Sequence, residues 1–339
     1  MSARSRRMPL LLLCTFLCLA CDRDRAAVPT AAQIPPKQAA AATDTGLPTL
    51  TLPPDNGPPP TFDGDRAMQY VKDIVKFGPR PLGGPNHKKV EDYLDSHLKG
   101  NIVEDDTFTA DTNVGRFPVH NIIAKFPGTR DGIIVVASHY DTNYPLRNTS
   151  YVGANDGASS SALLLELANQ LRGKTRDGYS VWLVWDDAEE AMKPEVDFMT
   201  DSLYGITHLA EKWEADGTLK KIKAFLLADM IGDADLNIDH DLNSTPWLES
   251  VVYEAAKRLG YQSHFFAREN QVSDDHLAFM KRGVSCADLI DFMYGYNNVF
   301  WHTPQDTVDK LSPKSLTIVG SVILETIRIL DKTDPLPPK

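Results

Sequence analysis

The chain has 339 residues, 42% of them hydrophobic, with a formal net charge of −11 and a pI near 5.3. That length and apolar content suit one large α/β core. The acidic balance argues against a nucleic-acid surface, which needs clustered Lys and Arg to displace counterions from phosphates.

In chain order, Arg4, Arg6 and Arg7 precede the apolar run Leu10-Leu11-Leu12-Leu13, which leads on to Leu19-Ala20-Cys21. This pattern predicts a secretory signal over residues 1–21, too short to remain as a membrane span. Cys21 directly after Ala20 resembles the lipid-attachment box of bacterial lipoproteins, although Cys18 stands where that box usually has Leu. The expected location is therefore periplasmic or membrane-anchored, with Cys21 as the one lipid anchor and simple cleavage as the alternative. Residues 22–61 are rich in Ala, Pro and Thr and carry Pro35-Pro36, Pro53-Pro54 and Pro58-Pro59-Pro60. They predict a disordered linker ahead of a catalytic domain over 62–334. Cys14, Cys18 and Cys21 fall in the signal, so Cys286 is alone in the body and no intrachain disulfide is available there.

Helical spacing of apolar residues marks 66–77 and 87–98, and again 159–171, 247–259 and 315–330. Between them lie short apolar runs at 122–126, 133–137, 181–185 and 224–228, which read as buried strands. The expected fold is α/β: an αβα three-layer sandwich with a mixed, mostly parallel central sheet, expected as a monomer.

Acids and histidines gather at the ends of these runs. His139 and Asp141 follow the strand ending at Ala137, Glu189 and Glu190 follow that ending at Trp185, and Asp229 follows Ala228. Ligands in open α/β sheets bind at the carboxyl ends of strands, so three strands deliver metal-type side chains to one edge. Catalytic zinc takes about three protein ligands and keeps a position open. Asp156, among the small residues of Gly153-Ala154-Asn155-Asp156-Gly157-Ala158, supplies one; Glu190 and His302 supply the others. The adjacent Glu189 is left as a proton carrier.

The order His139-Tyr140-Asp141, Asp156, Glu189-Glu190, Asp229 and His302 resembles the superfamily of zinc aminopeptidases that includes glutaminyl cyclases, over residues 65–330. Three stretches look similar to the cyclase branch: Asp201-Ser202-Leu203-Tyr204-Gly205 with His208-Leu209-Ala210, Ser273-Asp274-Asp275-His276 with Arg282-Gly283-Val284, and Trp301-His302-Thr303. The resemblance implies cyclisation of the amino-terminal glutamine of peptides or proteins to pyroglutamate, with one zinc on Asp156, Glu190 and His302. It further implies that Asp229 and Asp274 position the amine and that Trp301 walls the pocket, where Phe198 is a further candidate. In the two-zinc aminopeptidases of the superfamily a second ion uses positions matching His139 and Asp229, with Asp156 as the bridge. Those positions are filled here, so peptide hydrolysis is the alternative reading. A third reading, a silent peptide-binding lipoprotein, gives no chemical reason to keep Glu189.

Two positions depart from the cyclase pattern. No tryptophan follows the paired glutamates in residues 192–200, and Asp288 stands where the cyclases place a histidine. His208 and His276 are expected as packing or surface residues. His87, His97, His120, His240 and His264 show no ligand spacing with one another, and Cys286 is expected to be inert.

Overall fold

The computed structural model describes residues 45–54, 57–333 and 336–337, and in it the apolar runs become the interior of a sheet. The strands are β1 (Ile102–Thr112), β2 (Gly115–Phe126), β3 (Gly128–His139), β4 (Arg176–Asp186), β5 (Ile222–Asp229), β6 (Ile238–Asp241), β7 (Phe265–Asn270) and β8 (Cys286–Ile290). The helices are α1 (Gly64–Val75), α2 (Pro85–Leu98), α3 (Ala158–Leu171), α4 (Phe198–Asp201), α5 (Tyr204–Ala215), α6 (Pro246–Leu259), α7 (His276–Met280) and α8 (Pro313–Lys332). Six strands form the main sheet in the order β1-β2-β4-β3-β5-β8, and β6 pairs with β7 apart from it.

Strands β4, β3, β5 and β8 run parallel, while β2 lies antiparallel to both β1 and β4. The period of two explains why the central strands are apolar throughout. Along β3, Ile134 and Val136 join one core with α1, α3, α6 and α8, while Val135 and Ala137 join the other, with α5 and α7. Helices thus cover both faces, as expected of the three-layer sandwich. A buried carboxylate ties the first face together: Arg66 on α1 meets Glu166 on α3 through two bonds of 2.5 and 2.6 Å.

Strand β1 escapes the sequence pattern because most of it is at least partly exposed and polar. It is an edge strand whose register comes from pairing with β2 along its whole length. The expected disordered linker also needs correction from residue 45 onward. The described residues of that stretch form no helix or strand, yet Leu47, Leu50 and Leu52 pack against the core. The hydroxyl of Ser250 donates to Pro48 O at 2.8 Å and Arg258 donates to Pro53 O at 2.9 Å. Leucines spaced among prolines give an extended chain enough apolar contact to lie along α6, a local feature that average composition hides. The signal over residues 1–21, the anchor at Cys21 and the linker as far as residue 44 lie outside the described residues. Among those described, no helix is long and apolar enough to cross a membrane.

Candidate metal centre

The sheet order sets the place of the site. From β3 the chain crosses through α3 to β4 on one side, then through α5 to β5 on the other side of β3. The carboxyl end of β3 is therefore a topological switch point, where loops diverge and leave a crevice. His139 closes β3, Asp229 closes β5 and the paired glutamates follow β4, so all three reach that crevice.

Asp156 enters from the turn before α3. Gly157 has a φ of +79°, and a Cβ there would stand 2.9 Å from both Asp141 O and the His139 ring, so the small residue is required by close approach to the site. Beneath the turn lies Arg80, fully buried, donating to Tyr140 O, Val152 O, Gly153 O and Asp156 O. Asp306 accepts from the backbone N–H groups of Asn155 at 2.8 Å and Asp156 at 3.2 Å. Burial, with Asp156 nearby, pushes Asp306 up to about 7. The hydroxyl of Tyr151 donates to Asp156 Oδ2 at 2.6 Å.

The glutamates are set by backbone bonds. The N–H groups of Leu203, Tyr204 and Gly205, where α5 begins, donate to the carbonyls of Glu189, Ala188 and Asp187 at 2.9, 2.9 and 3.1 Å. A Cβ on Gly205 would lie 2.0 Å from Asp187 O, so the Ser-Leu-Tyr-Gly stretch lets α5 abut the glutamate turn as no larger residue at 205 could. From the other side Asp141 accepts from the N–H groups of Glu189 at 3.2 Å and Glu190 at 3.4 Å.

Three predicted ligands converge. His302 Nε2 lies 3.1 Å from Glu190 Oε2 and 3.3 Å from Asp156 Oδ2. Bonds of about 2.0–2.1 Å to tetrahedral zinc would put ligand atoms about 3.3 Å apart, so this spacing suits the ion. Glu190 Oε1 is buried without a hydrogen-bond partner among the described residues, while Asn143 donates to Glu190 Oε2 at 2.8 Å. Burial alone would lower His302, but Glu190 and Asp156 outweigh it and hold the ring at about 10. A site that retains a proton so firmly presents the lone pairs and charge a divalent cation would use.

His139 and Asp229 form a second group on the other oxygen of Asp156. His139 Nε2 lies 3.2 Å from Asp156 Oδ1 and 3.3 Å from Asp229 Oδ1, and its Nδ1 faces Asp141 at 3.4 Å. The pocket outside these groups has a volume of about 620 Å³. Glu189, Asp229 and Asp274 line it, as do Trp301 and Phe198, whereas His139 is buried behind the lining. Burial first, then the charges of Asp274 and Glu190, push Glu189 well above the usual carboxylate range. Trp301 stacks on His302 with ring centroids 4.1 Å apart and leans on Phe292 at 5.0 Å. The loop without a tryptophan is held by Asp201, which takes the Met192 N–H on its carbonyl at 3.0 Å and the Asn113 side chain on its carboxylate at 2.7 Å. Phe198 supplies an aromatic ring to the lining from that loop.

Sequence reasoning missed Arg80, Tyr151, Asn143 and Asp306, which carry no ligand pattern; the placing of Asn143 and Asp306 within a few residues of Asp141 and His302 was the available hint. His208 is a packing residue as expected, stacked on Phe108 at 3.8 Å. His276, by contrast, is neither packed among apolar groups nor at the surface: it lies fully buried between carboxylates. His87 has partners too, with Nε2 at 2.6 Å from Asp187 and Nδ1 at 3.1 Å from Glu91, one helical turn on. Burial would lower His87, yet Asp187 and Glu91 outweigh it and hold the ring at about 10. Its stabilising charge is thus complete below about pH 6.5 and lost as pH rises through 10. His87→Leu should cost about 3–5 kcal/mol, by leaving Asp187 buried without its partner. Urea unfolding at pH 7 and pH 10 checks both points: the loss at pH 7 should be large, and the fall in stability towards pH 10 should be smaller in the variant.

Residues 121–327 match the description of peptidase family M28. The mouse glutaminyl-peptide cyclotransferase-like protein is 31% identical over 276 residues, covering 72% of this chain and 70% of the relative. A solved glutaminyl cyclase from an Acidobacteriales bacterium is 48% identical, with a TM-score of 0.79 over 83% of this chain and 99% of that one. A solved zinc-dependent exopeptidase from Parabacteroides distasonis is 26% identical, with a TM-score of 0.72 over 80% and 99%.

Proposed function

We propose, from the premise that the chain belongs to peptidase family M28, that it is a zinc-dependent glutaminyl-peptide cyclotransferase, converting amino-terminal glutamine to pyroglutamate with release of ammonia. The observation that carries the reading is the pocket: the Asp156, Glu190 and His302 set and the free carboxylate of Glu189 open into one recess with Asp229 and Asp274.

Asp156, Glu190 and His302 would hold the zinc, which when bound supplies a Lewis acid that polarises the side-chain amide oxygen of the glutamine. Glu189, beside the ligands but not among them, takes a proton from the α-amine as its nitrogen bonds to the amide carbon. The same carboxyl returns that proton to the departing nitrogen, which leaves as ammonia, so the proton balance closes without an added acid. Its upward shift through burial suits a group that must hold the proton between the two steps. Asp229 and Asp274 orient the amine, Trp301 and Phe198 wall the side chain, and the whole recess contributes positioning.

We assign one zinc to the pocket, on the Asp156, Glu190 and His302 set that opens into it, as the resemblance to the cyclases implies. A two-ion peptidase would place its second ion on His139 and Asp229, with Asp156 between. The test is ammonia release by the zinc-supplemented protein from a glutamine-initiated peptide and from its amino-acetylated form. Release from the free peptide alone supports the reading; release from neither, with zinc bound, overturns it.

The export reading is also ours: Arg4, Arg6, Arg7 and the leucine run direct secretion, and Cys21 takes the lipid. Palmitate labelling in a bacterial host should mark the chain but not its Cys21→Ala variant; equal labelling of both would refute the anchor.

A further inference from the structure

The loop after the paired glutamates, where the cyclase pattern has a tryptophan, brings a cation to the pocket instead. Lys193 lines the recess together with Phe198 of the same loop, and it is the one ammonium among the described lining residues. The other charged or chargeable side chains of that lining are carboxylates and the His302 imidazole.

The backbone on either side of Lys193 is fixed while its ammonium is not engaged. Met192 is buried and donates its N–H to Asp201 O at 3.0 Å, and the Lys193 carbonyl accepts from the Val196 N–H at 3.4 Å. Pro194 disfavours helical backbone at the residue before it, which holds Lys193 in a turn ahead of α4. The side chain is partly exposed and forms no ion pair among the described residues. Asp197, the acid four residues on, caps α4 by accepting the Met199 N–H at 3.1 Å.

Other donors around the recess have partners of their own. Arg147, next in the chain to the lining residue Leu146, donates to Tyr144 O at 2.9 Å and lies over the Tyr144 ring at 4.3 Å. The lining amides of Asn143, Asn270 and Gln271 donate to Glu190, Asp239 and Asn243 at 2.8, 3.1 and 3.1 Å. Glu189 and Asp274 are buried, so a glutamine held by its amine there fills the depth of the recess. The residues that follow it lie towards the outer lining, to which the partly exposed Lys193 belongs.

Resting on the cyclase reading, we propose that Lys193 is a specificity-determining residue, which selects glutamine-initiated peptides carrying an aspartate or glutamate within the two residues after the glutamine. Its ammonium pairs with that side-chain carboxylate at the mouth of the recess. The net charge of −11 repels an acidic peptide at longer range, but salt screens such a field beyond about 8 Å at physiological ionic strength. Contact with Lys193 therefore decides between peptides that have already reached the pocket.

The test is kcat/KM for ammonia release by the zinc-supplemented full chain and its Lys193→Glu variant. The substrates are amidated glutamine-initiated peptides with glutamate at the second position, at the third, or replaced at both by the neutral isostere glutamine. Amidation leaves the side chain as the only carboxylate. The wild type should favour an acidic peptide over the neutral one by about two- to five-fold, the size of a partly exposed ion pair, and the variant should reverse that ratio. Because the ratio is taken within each protein, a general loss of rate in the variant cancels. Should the charge-reversed chain not fold, Lys193→Gln is expected to bring the ratio to about one. Ammonia from every peptide with the same ratio in wild type and variant overturns the role of Lys193 and leaves the cyclase reading standing; ammonia from none overturns the cyclase reading, and the selection with it.

Discussion

Replacing Glu189 with glutamine should slow turnover of a glutamine-initiated peptide by about a hundred- to ten-thousand-fold while leaving bound zinc at the wild-type level. The expectation rests on how the turn after β4 divides two adjacent carboxylates. Its backbone is fixed from both sides, by Asp141 and by the start of α5, so the neighbouring side chains cannot exchange places. Glu190 faces His302 at 3.1 Å, and Glu189 faces the pocket. Glutamine keeps the size and polarity of residue 189 and removes only its ability to take and return a proton. Steady-state kinetics with zinc analysis of the same sample checks this. Turnover near the wild-type value would show that the proton moves through another group.

Glu190→Gln should fail in the opposite way, losing zinc first and activity as a consequence. Substitution of groups that merely orient a ligand costs about 10–100-fold in metal affinity, and a direct ligand should cost more. The amide can still offer one oxygen to the ion but carries no charge to offset it, and Asn143 would face an altered partner. Zinc titration into metal-free protein is the measurement, and excess zinc should restore part of the rate in this variant. No such rescue is expected for Glu189→Gln. The contrast between the two substitutions separates metal binding from proton transfer within one dipeptide.

How far the sequence disclosed this arrangement varies with the kind of signal. The central strands were legible because a run such as Ile133 to Ala137, apolar on both faces, fits a sheet covered on both sides. The convergence of Asp156, Glu190 and His302 was legible because chemistry restricts which side chains suit a metal and fold topology restricts where they emerge. Strand β1 was not legible, since its order comes from pairing with β2 rather than from an apolar face. Nor was the packing of Leu47, Leu50 and Leu52, because whether a proline-rich segment has a surface to lie on depends on α6, some two hundred residues away.

The supporting residues show the same limit. Arg80 holds the Asp156 turn by donating to four carbonyls, a role fixed by three-dimensional position and carrying no local pattern. The Ser-Leu-Tyr-Gly stretch was visible as a resemblance, but its physical basis, the fit of Gly205 against Asp187 O, needed coordinates. Asp288 was visible as a departure from the cyclase pattern; that it lies across from His276 was not.

The central claim is tested most directly by incubating the zinc-supplemented protein with one glutamine-initiated and one leucine-initiated peptide and following both by mass spectrometry. The account predicts that the first loses ammonia and keeps its length while the second is unchanged. Release of free leucine from the second, with the first still uncyclised, would contradict it and point to a peptidase with a second ion on His139 and Asp229.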